Sequence, residues 1–255
     1  MIEIDTIYNE DCLVGMQRIP DGTVDAIITD LPYGTTACSW DSVIPFEPMW
    51  EQFKRVTKPN AAILLFGSEP FSSALRMSNI KDYRYDWIWI KNRGSNFANS
   101  GRSPIKEHEE IMLFCNTGKW TYNPQMQKRT GGGLERQKYG FKGMAKSEVT
   151  NYHAFDKSLI ACTEERLPSS WQYFKTSCGE DHFHPTQKPV DLLRYLILTY
   201  TNMGGVVLDA TIGSGTTAVA ALMEHRHFIG FETDKGYYDK AVERIADLRR
   251  NPTLF

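Results

Sequence analysis

The sequence predicts an α/β fold with a doubly wound, mostly parallel sheet, and three features carry that prediction. A run of apolar and β-branched residues from Asp25 to Thr29 ends on Asp30 and a Leu-Pro-Tyr-Gly turn. Candidate strands and helices alternate from there to residue 79. Near the other end, the buried strand Val206 to Asp209 leads through a glycine-rich turn into a helix. Because parallel strands end at one rim of a sheet, Asp30 and Asp209 are expected to border the same crevice.

Length and composition fit one large domain with an insertion. The chain has 255 residues, and its aromatic share of 12% and charged share of 24% are ordinary for a globular protein, so disorder is not expected. The net charge is -2, so a nucleic-acid partner would have to meet a local basic surface. No apolar stretch approaches the roughly 18 residues that cross a bilayer, and no signal peptide is evident. We expect a cytoplasmic protein without a membrane segment.

The cysteines and histidines do not indicate a metal site. The five cysteines are odd in number and form no Cys-x-x-Cys pair, so neither a disulfide framework nor a zinc cluster is encoded. His182 and His184 flank Phe183 but have no further ligands at usable spacing. We expect these two histidines to be structural.

The remaining elements follow from hydrophobic periodicity. Residues 4–19 give a short apolar segment and then a helix, before which Asp11 can cap the helix or face a ligand. On these residues alone, capping is the expected role. The later elements are, in order, a helix at about 46–57, a strand at 61–66, a helix at about 70–79, strands at 84–90 and 110–115 with a polar loop at 92–108, and a helix from Pro189 to about Tyr200.

Periodicity fails from Thr117 to Glu180, which indicates an inserted region. Within 117–146, seven Lys and Arg residues stand against one acid, and aromatic residues are interleaved with them. Such a surface can grip phosphates and stack bases, although a solvated basic loop is the alternative. The cations chosen as DNA-binding candidates are Lys128, Arg129, Arg136 and Lys138.

The Asp30 turn has the chemistry of a pocket for an amino group. Pro32 has no N–H to continue a strand ladder, so the carboxylate of Asp30 and the carbonyl of Leu31 can point together into a crevice. Tyr33 adds a flat ring beside these two acceptors. The set suits a planar ring with an exocyclic amine, such as a nucleobase. An ordinary turn is the alternative if the motif is taken by itself.

The late glycine-rich turn indicates a nucleoside-bearing cofactor. Gly213 and Gly215 let the backbone approach a ligand, and Glu232, at the end of the next strand, can take the two hydroxyls of a ribose. The same spacing also fits a nicotinamide dinucleotide fingerprint, so an oxidoreductase stays open. Against it, only about 40 residues follow Gly213. The rest of the sheet must therefore come from earlier in the chain, unlike a dinucleotide fold that starts with this unit.

As a set, the motifs resemble the β-group of S-adenosylmethionine-dependent DNA amino-methyltransferases. In that family the amino-group pocket comes first, the target-recognition region second and the cofactor motif last. The matching segments cover nearly the whole chain in that order: Asp30 to Tyr33, His108 to Ile111 with Tyr122 to Gln125, His184 to Pro189, Asp209 to Thr217, and Phe231 with Glu232. The family usually has Pro at Leu31 and Asp-Pro-Phe at 209–211. Leu31 should be tolerated because the pocket uses its carbonyl, whereas Thr211 bears on cofactor affinity more than on chemistry.

The resemblance implies a Rossmann-like methyltransferase sheet with permuted motif order. Residues 1–116 and 181–255 would be the catalytic and cofactor-binding halves of one domain, and 117–180 the inserted target-recognition region. The implied catalytic residues are Asp30, Leu31, Pro32 and Tyr33. The implied cofactor-binding residues are Asp11, Cys12, Lys188, Asp209, Gly213, Ser214, Gly215, Thr216, Thr217 and Glu232, with Asp11 and Cys12 beside the cofactor's adenine and Lys188 on its carboxylate.

The implied activity is site-specific methylation of double-stranded DNA, with S-adenosylmethionine as the donor and the N6 amino group of a flipped-out adenine as the acceptor. In the family, Asp at the first pocket position goes with adenine N6 and Ser with cytosine N4. Cytosine-N4 methylation, methylation of RNA or of a protein amide, and a catalytically silent DNA-binding relative stay open as alternatives. So do a homodimer and a cognate restriction enzyme as partners.

Overall fold

The computed structural model describes residues 2–35, 41–129, 164–176 and 186–251. Contacts along the chain define two compact units, one formed by 1–123 with 170–255 and the other by 124–169. The strands are β1 (Thr6–Tyr8), β2 (Val24–Thr29), β3 (Thr57–Gly67), β4 (Tyr83–Ser95), β5 (Lys106–Phe114), β6 (Gln127–Lys128), β7 (Glu165–Arg166), β8 (Trp171–Tyr173), β9 (Val206–Asp209) and β10 (His227–Phe231). The helices are α1 (Cys12–Met16), α2 (Phe46–Val56), α3 (Phe71–Ser78), α4 (Val190–Tyr200), α5 (Thr216–Met223) and α6 (Lys235–Arg250).

The larger unit is built on an eight-stranded sheet in the order β1-β10-β9-β2-β3-β5-β4-β8 within the described residues. The first five strands of that order are parallel, β5 is antiparallel to both β3 and β4, and β8 is parallel to β4. The predicted α/β fold with a mostly parallel sheet is confirmed. Ala26 pairs with Val207 and Ile27 with Leu208, so the early and late motifs lie on neighbouring strands.

Both faces of the sheet are covered, which explains why its central strands are apolar throughout. Successive residues of β2 point to opposite faces. Ile28 lies in one core cluster, together with apolar residues of α4 and α5. Ile27 lies in the other, together with apolar residues of α1, α2 and α3. Helices on both faces make the sheet doubly wound, and its rim is left to polar turns.

The antiparallel hairpin β4–β5 is longer than the sequence predicts. The expected strand 84–90 extends to Ser95, and the expected strand 110–115 begins already at Lys106. Pairing of Ser95 with Lys106 continues the ladder into the predicted polar loop. The outer part of the hairpin is largely exposed, so it lacks the apolar alternation on which the sequence prediction depended.

The smaller unit contributes a short antiparallel pair, in which Gln127 of β6 faces Arg166 of β7. The DNA-binding candidates Arg136 and Lys138, and the histidines at 182 and 184, lie outside the described residues. In the part of the chain that is described, no helix has the length and apolar character needed to span a bilayer. No cluster of His, Cys, Asp and Glu suited to a metal ion occurs there either.

Candidate active site

The two motif halves meet in one cleft at the carboxyl ends of β2 and β9. Most of the residues predicted from the sequence line it. They are Asp30, Leu31, Pro32 and Tyr33 from the early turn, and Lys188, Asp209, Gly213, Ser214, Thr216, Thr217 and Glu232 from the late segments.

Asp30 follows directly on β2, and its carboxylate is held by two donors. The hydroxyl of Tyr33 donates to Oδ1 at 2.5 Å, and the ammonium of Lys188 forms an ion pair with Oδ2. Burial raises the pKa of Asp30, while the charge of Lys188 acts in the opposite direction. The nearby charges of Asp30 and Glu109 outweigh burial and raise the pKa of Lys188, so this group stays an ammonium. The result is an oriented acceptor at the rim of the sheet.

Lys188 has a second acidic neighbour that sequence reasoning missed. Its Nζ lies 3.6 Å from Oε2 of Glu109 on β5, and the other carboxylate oxygen of Glu109 pairs with Lys91 on β4. Burial works against ionisation of Glu109, but the charges of Lys188 and Lys91 prevail and lower its pKa. The only sequence signal was that Glu109 falls within a segment matching the family, where it had no assigned role.

Tyr33 is fixed by its surroundings. Its ring stacks on Phe71 of α3, with ring centroids 4.9 Å apart and planes at 26°. Burial and the neighbouring carboxylates raise the pKa of Tyr33, so the phenol stays neutral and can donate to Asp30. The turn beyond it is closed by Asp41, whose carboxylate accepts from the backbone N–H groups of Gly34 and Thr35 at 2.8 and 2.9 Å.

Asp209 is the last residue of β9, and its carboxylate has neutral partners. Its carboxylate accepts from the Thr211 backbone N–H at 3.1 Å and from the Thr217 hydroxyl at 2.6 Å. Burial raises the pKa of Asp209 to about 6. The side chain therefore shapes the late turn, and its ionisation is disfavoured by its surroundings.

Thr211, where the family usually has an aromatic residue, links the two motif turns. Its hydroxyl donates to the backbone carbonyl of Asp30 at 2.9 Å and lies 2.9 Å from the hydroxyl of Thr29. These contacts cross the β2–β9 boundary among the residues that line the cleft. The sequence shows only that an aromatic ring is lost at this position, because a hydrogen bond between residues 181 positions apart has no sequence signal.

The late turn fits the ribose of a nucleoside cofactor. Oε2 of Glu232 accepts from the Gly213 N–H at 2.9 Å, and Oε1 accepts from the Asp234 N–H at 2.8 Å. Each carboxylate oxygen can accept a second hydrogen bond, so Glu232 can still take two hydroxyls. Burial raises the pKa of Glu232.

Gly215 has a packing role in the late turn. Its φ of +75° favours glycine, and an added Cβ would lie 3.1 Å from the Cβ of Ala241 on α6. This residue is therefore explained without a ligand, and its predicted contact with the cofactor stays a prediction.

Asp11 and Cys12 are not among the described residues that line the cleft. Asp11 caps α1, as expected from the residues alone, by accepting from the Leu13 and Val14 N–H groups at 2.7 and 3.3 Å. Burial, together with the charge of Asp11, raises the pKa of the Cys12 thiol to about 12, so it is unreactive. Their predicted position beside the cofactor's adenine stays a prediction.

Comparison with known proteins agrees with this geometry. The sequence profile of the DNA methylase family matches residues 24–243. The type II methyltransferase M.HinfI of Haemophilus influenzae is 27% identical over 279 residues, covering 98% of this chain and 70% of that protein.

Two solved structures share the fold. The M1.HpyAVI complex with S-adenosylmethionine has a TM-score of 0.61 at 22% identity, covering 94% of this chain and 98% of that one. The cytosine-N4-specific PvuII DNA methyltransferase has a TM-score of 0.64 at 14% identity, covering 96% and 91%. The chain thus belongs to the DNA methylase family of N6 and N4 amino-methyltransferases, and it is an S-adenosylmethionine-dependent enzyme that methylates DNA.

Proposed function

We propose that this enzyme methylates the N6 amino group of an adenine that is flipped out of a DNA duplex at a specific site. The observation that carries the proposal is the Asp30 carboxylate, held at the rim of the cleft by Tyr33 and Lys188. The fold alone does not choose between bases, since the cytosine-N4-specific PvuII enzyme shares it. The choice of adenine depends on Asp at the first pocket position, where the family resemblance associates Ser with cytosine.

The early turn binds the base. Asp30 and the carbonyl of Leu31 accept the two amino hydrogens, which draws the nitrogen lone pair out of conjugation with the ring. The Leu31 side chain is buried in the core, so Leu31 contributes only its backbone carbonyl to this pocket. Tyr33, supported by Phe71, offers a ring for stacking. A base inside a duplex cannot reach this position, so it must leave the helix.

The late turn holds the methyl donor. S-adenosylmethionine, when bound, supplies an electrophilic methyl group on a sulfonium. Glu232 binds the ribose hydroxyls, and Gly213 with the following polar residues receives the amino-acid end. Lys188 meets the carboxylate of the donor from its position beside Asp30, because an ammonium has three hydrogens to donate. Catalysis is mostly orientation of the amino nitrogen and electrostatic stabilisation of the charge that develops on it.

Methylation of DNA that carries all four bases, followed by digestion to nucleosides and mass spectrometry, tests the base assignment. N6-methyladenine is the expected product. N4-methylcytosine would overturn the adenine assignment while leaving the family intact. Sequencing the methylated positions in DNA from cells that express the chain then gives the recognition site.

The inserted region 117–180 is assigned to target recognition, between catalytic and cofactor-binding parts at 1–116 and 181–255. Lys128 and Arg129 lie in the smaller unit, and the Lys128 side chain is exposed. Replacing Lys128, Arg129, Arg136 and Lys138 together by Gln should weaken DNA binding and flatten its dependence on salt, because each phosphate contact releases counterions. An unchanged salt slope would remove these residues from the DNA-contacting surface.

Two partners inferred from the resemblance stay predictions. A cognate restriction enzyme is expected because M.HinfI is named a type II methyltransferase. Light scattering of the purified chain, with and without duplex DNA, tests the homodimer. Cleavage of unmethylated but not methylated DNA by extracts of the source cells tests the restriction enzyme.

A further inference from the structure

Four charged side chains of alternating sign lead from the outer strands of the sheet to the proposed base pocket. Lys91 on β4 pairs with Glu109 on β5, Glu109 lies next to Lys188, and Lys188 pairs with Asp30. The side chains are largely buried, with exposed fractions of 11% for Lys91, 17% for Glu109, 12% for Lys188 and 21% for Asp30. Charges in such surroundings interact more strongly than on a surface, because little water screens them.

The order of charges gives each member a distinct effect on Asp30. Lys188 is the direct counter-ion and stabilises the ionised carboxylate. Glu109 opposes ionisation of Asp30 through its like charge, and it also holds the other side of the Lys188 ammonium. Lys91 neutralises Glu109 on the side away from Lys188. The attraction of Glu109 for Lys188 is thereby weakened, and Lys188 stays paired with Asp30. The four side chains together carry no net charge, and this allows them to be buried as a group.

We propose that Glu109 and Lys91 are positioning residues for DNA methylation: Glu109 holds the Lys188 ammonium beside Asp30 but opposes the ionisation of Asp30 by its like charge, and Lys91 supports that ionisation by neutralising Glu109. The proposal deepens the proposed function and rests on its assignment of Asp30 as the acceptor of the amino hydrogens. Neither Glu109 nor Lys91 is among the described residues that line the cleft, so both act indirectly, through Lys188. Their contribution lies in the charge state and direction of Asp30.

Other titratable groups also face Asp30. Tyr33 donates to it from the same turn, Asp209 opposes it from β9, and Asp41 lies behind Tyr33. Of these, Asp209 has a pKa that burial raises to about 6. Since Asp209 lies in the turn assigned to the cofactor, its protonation can be followed by the pH dependence of S-adenosylmethionine binding, which is measured separately.

The experiment is the pH profile of methyl transfer in a single turnover, with saturating donor and duplex DNA, for three neutralised variants of the full chain. Lys188→Met is expected to move the acid limb upward by about one pH unit or more, since an adjacent opposite charge lowers a carboxyl pKa by about 1–3 units. Lys91→Met is expected to move it upward by less, because Glu109 then draws Lys188 away from Asp30. Glu109→Gln is expected to move it downward.

The opposite direction for Glu109→Gln is the decisive result, since loss of packing alone would not reverse the sign. Lys54→Met is the matched control, because it also removes one ammonium from an ion pair, with Asp82 at 2.8 Å, and does not line the cleft. Its acid limb should match that of the unaltered enzyme. An unmoved limb in Lys188→Met, or an upward shift in Glu109→Gln, would overturn the proposal.

A variant that does not fold is recognised by its melting curve. In that case the direction of the acid-limb shift in Glu109→Gln, which keeps the size and shape of the side chain, tests the proposal. The product of the unaltered enzyme is identified in the same assay. If that product is N4-methylcytosine, the adenine assignment fails, while the directions of the pH shifts still test the role of Glu109 and Lys91.

Discussion

The turn after β2 and the turn after β9 both lie at the carboxyl ends of neighbouring strands, but their aspartates have different roles. Each follows a buried strand and adjoins an aspartate, Asp30 just after β2 and Asp209 as the last residue of β9, and the two strands are neighbours in the sheet. Asp30 is paired with an ammonium from a segment 158 positions away. Asp209 is satisfied by a hydroxyl only eight positions away and by a backbone N–H. Partners, rather than position, make one carboxylate a charged acceptor and the other a fixed part of a turn.

The strongest test of this difference is Asp30→Ala. Methylation is expected to fall by about a thousandfold, because the variant loses the acceptor that orients the amino group and stabilises charge on it. Binding of S-adenosylmethionine should be largely kept, since the late turn is intact. Transfer of labelled methyl groups and calorimetric titration of the donor measure the two quantities. Methylation at an undiminished rate would refute the role given to Asp30.

Asp209→Asn tests the same comparison through stability. Because the pKa of Asp209 is raised in the folded protein from 3.8 to about 6, the folded state binds more protons than the unfolded chain within that range. The free energy of unfolding therefore falls as pH rises through this window, by about 3 kcal/mol from this group. In Asp209→Asn this group does not titrate, so the variant does not lose this free energy. Its free energy of unfolding, relative to that of the unaltered protein, should increase between pH 4 and pH 7.

Asp30→Asn is the matched control for that experiment, and a loss of stability at pH 7 is expected where Asp209→Asn gains. Removing the charge of Asp30 leaves the buried Lys188 with one carboxylate fewer, so the variant should be less stable than the unaltered protein at pH 7. Chemical denaturation of both variants at several pH values measures these differences. Equal behaviour of the two would mean that the two aspartates do not differ in the way their partners indicate.

Glu232→Ala should separate cofactor affinity from chemistry. Loss of charge-assisted hydrogen bonds worth about 1.5–3 kcal/mol is expected to weaken donor binding by about 10- to 100-fold. The rate at saturating donor should change little, in contrast with Asp30→Ala. Titration of the donor and the dependence of the rate on its concentration test this. An unchanged dissociation constant would exclude Glu232 from the ribose site.

The smallest effect is expected for Thr211→Val, which removes the hydroxyl that joins the two turns. The free energy of unfolding should fall by about 1 kcal/mol. Thr199→Val is a matched control, because the buried Thr199 hydroxyl also donates to a backbone carbonyl, that of Tyr195, at 2.7 Å. Both variants should lose similar stability, but only Thr211→Val should slow methylation. Equal methylation rates would show that the link between the turns is structural only.

Much of the fold and of the cleft could be predicted from short segments. The apolar run before Asp30 and the one before Asp209 each specify a buried strand, and Pro32 and Gly213 mark where the backbone turns. Such patterns depend on neighbouring residues, which the sequence displays directly. The sequence predicts the hairpin β4–β5 too short, because its outer residues are polar and their pairing depends on the opposite strand.

The sequence by itself determined the α/β sheet, the two acidic turns at its rim and the family of the enzyme. Only the tertiary structure decided which groups each acid meets: Lys188 and Glu109 around Asp30, and Thr211 across the β2–β9 boundary. The physical reason is that strand and turn formation follow from local backbone preference and burial. A contact between residues far apart in the sequence depends instead on the order and register of strands, to which no short stretch of sequence refers.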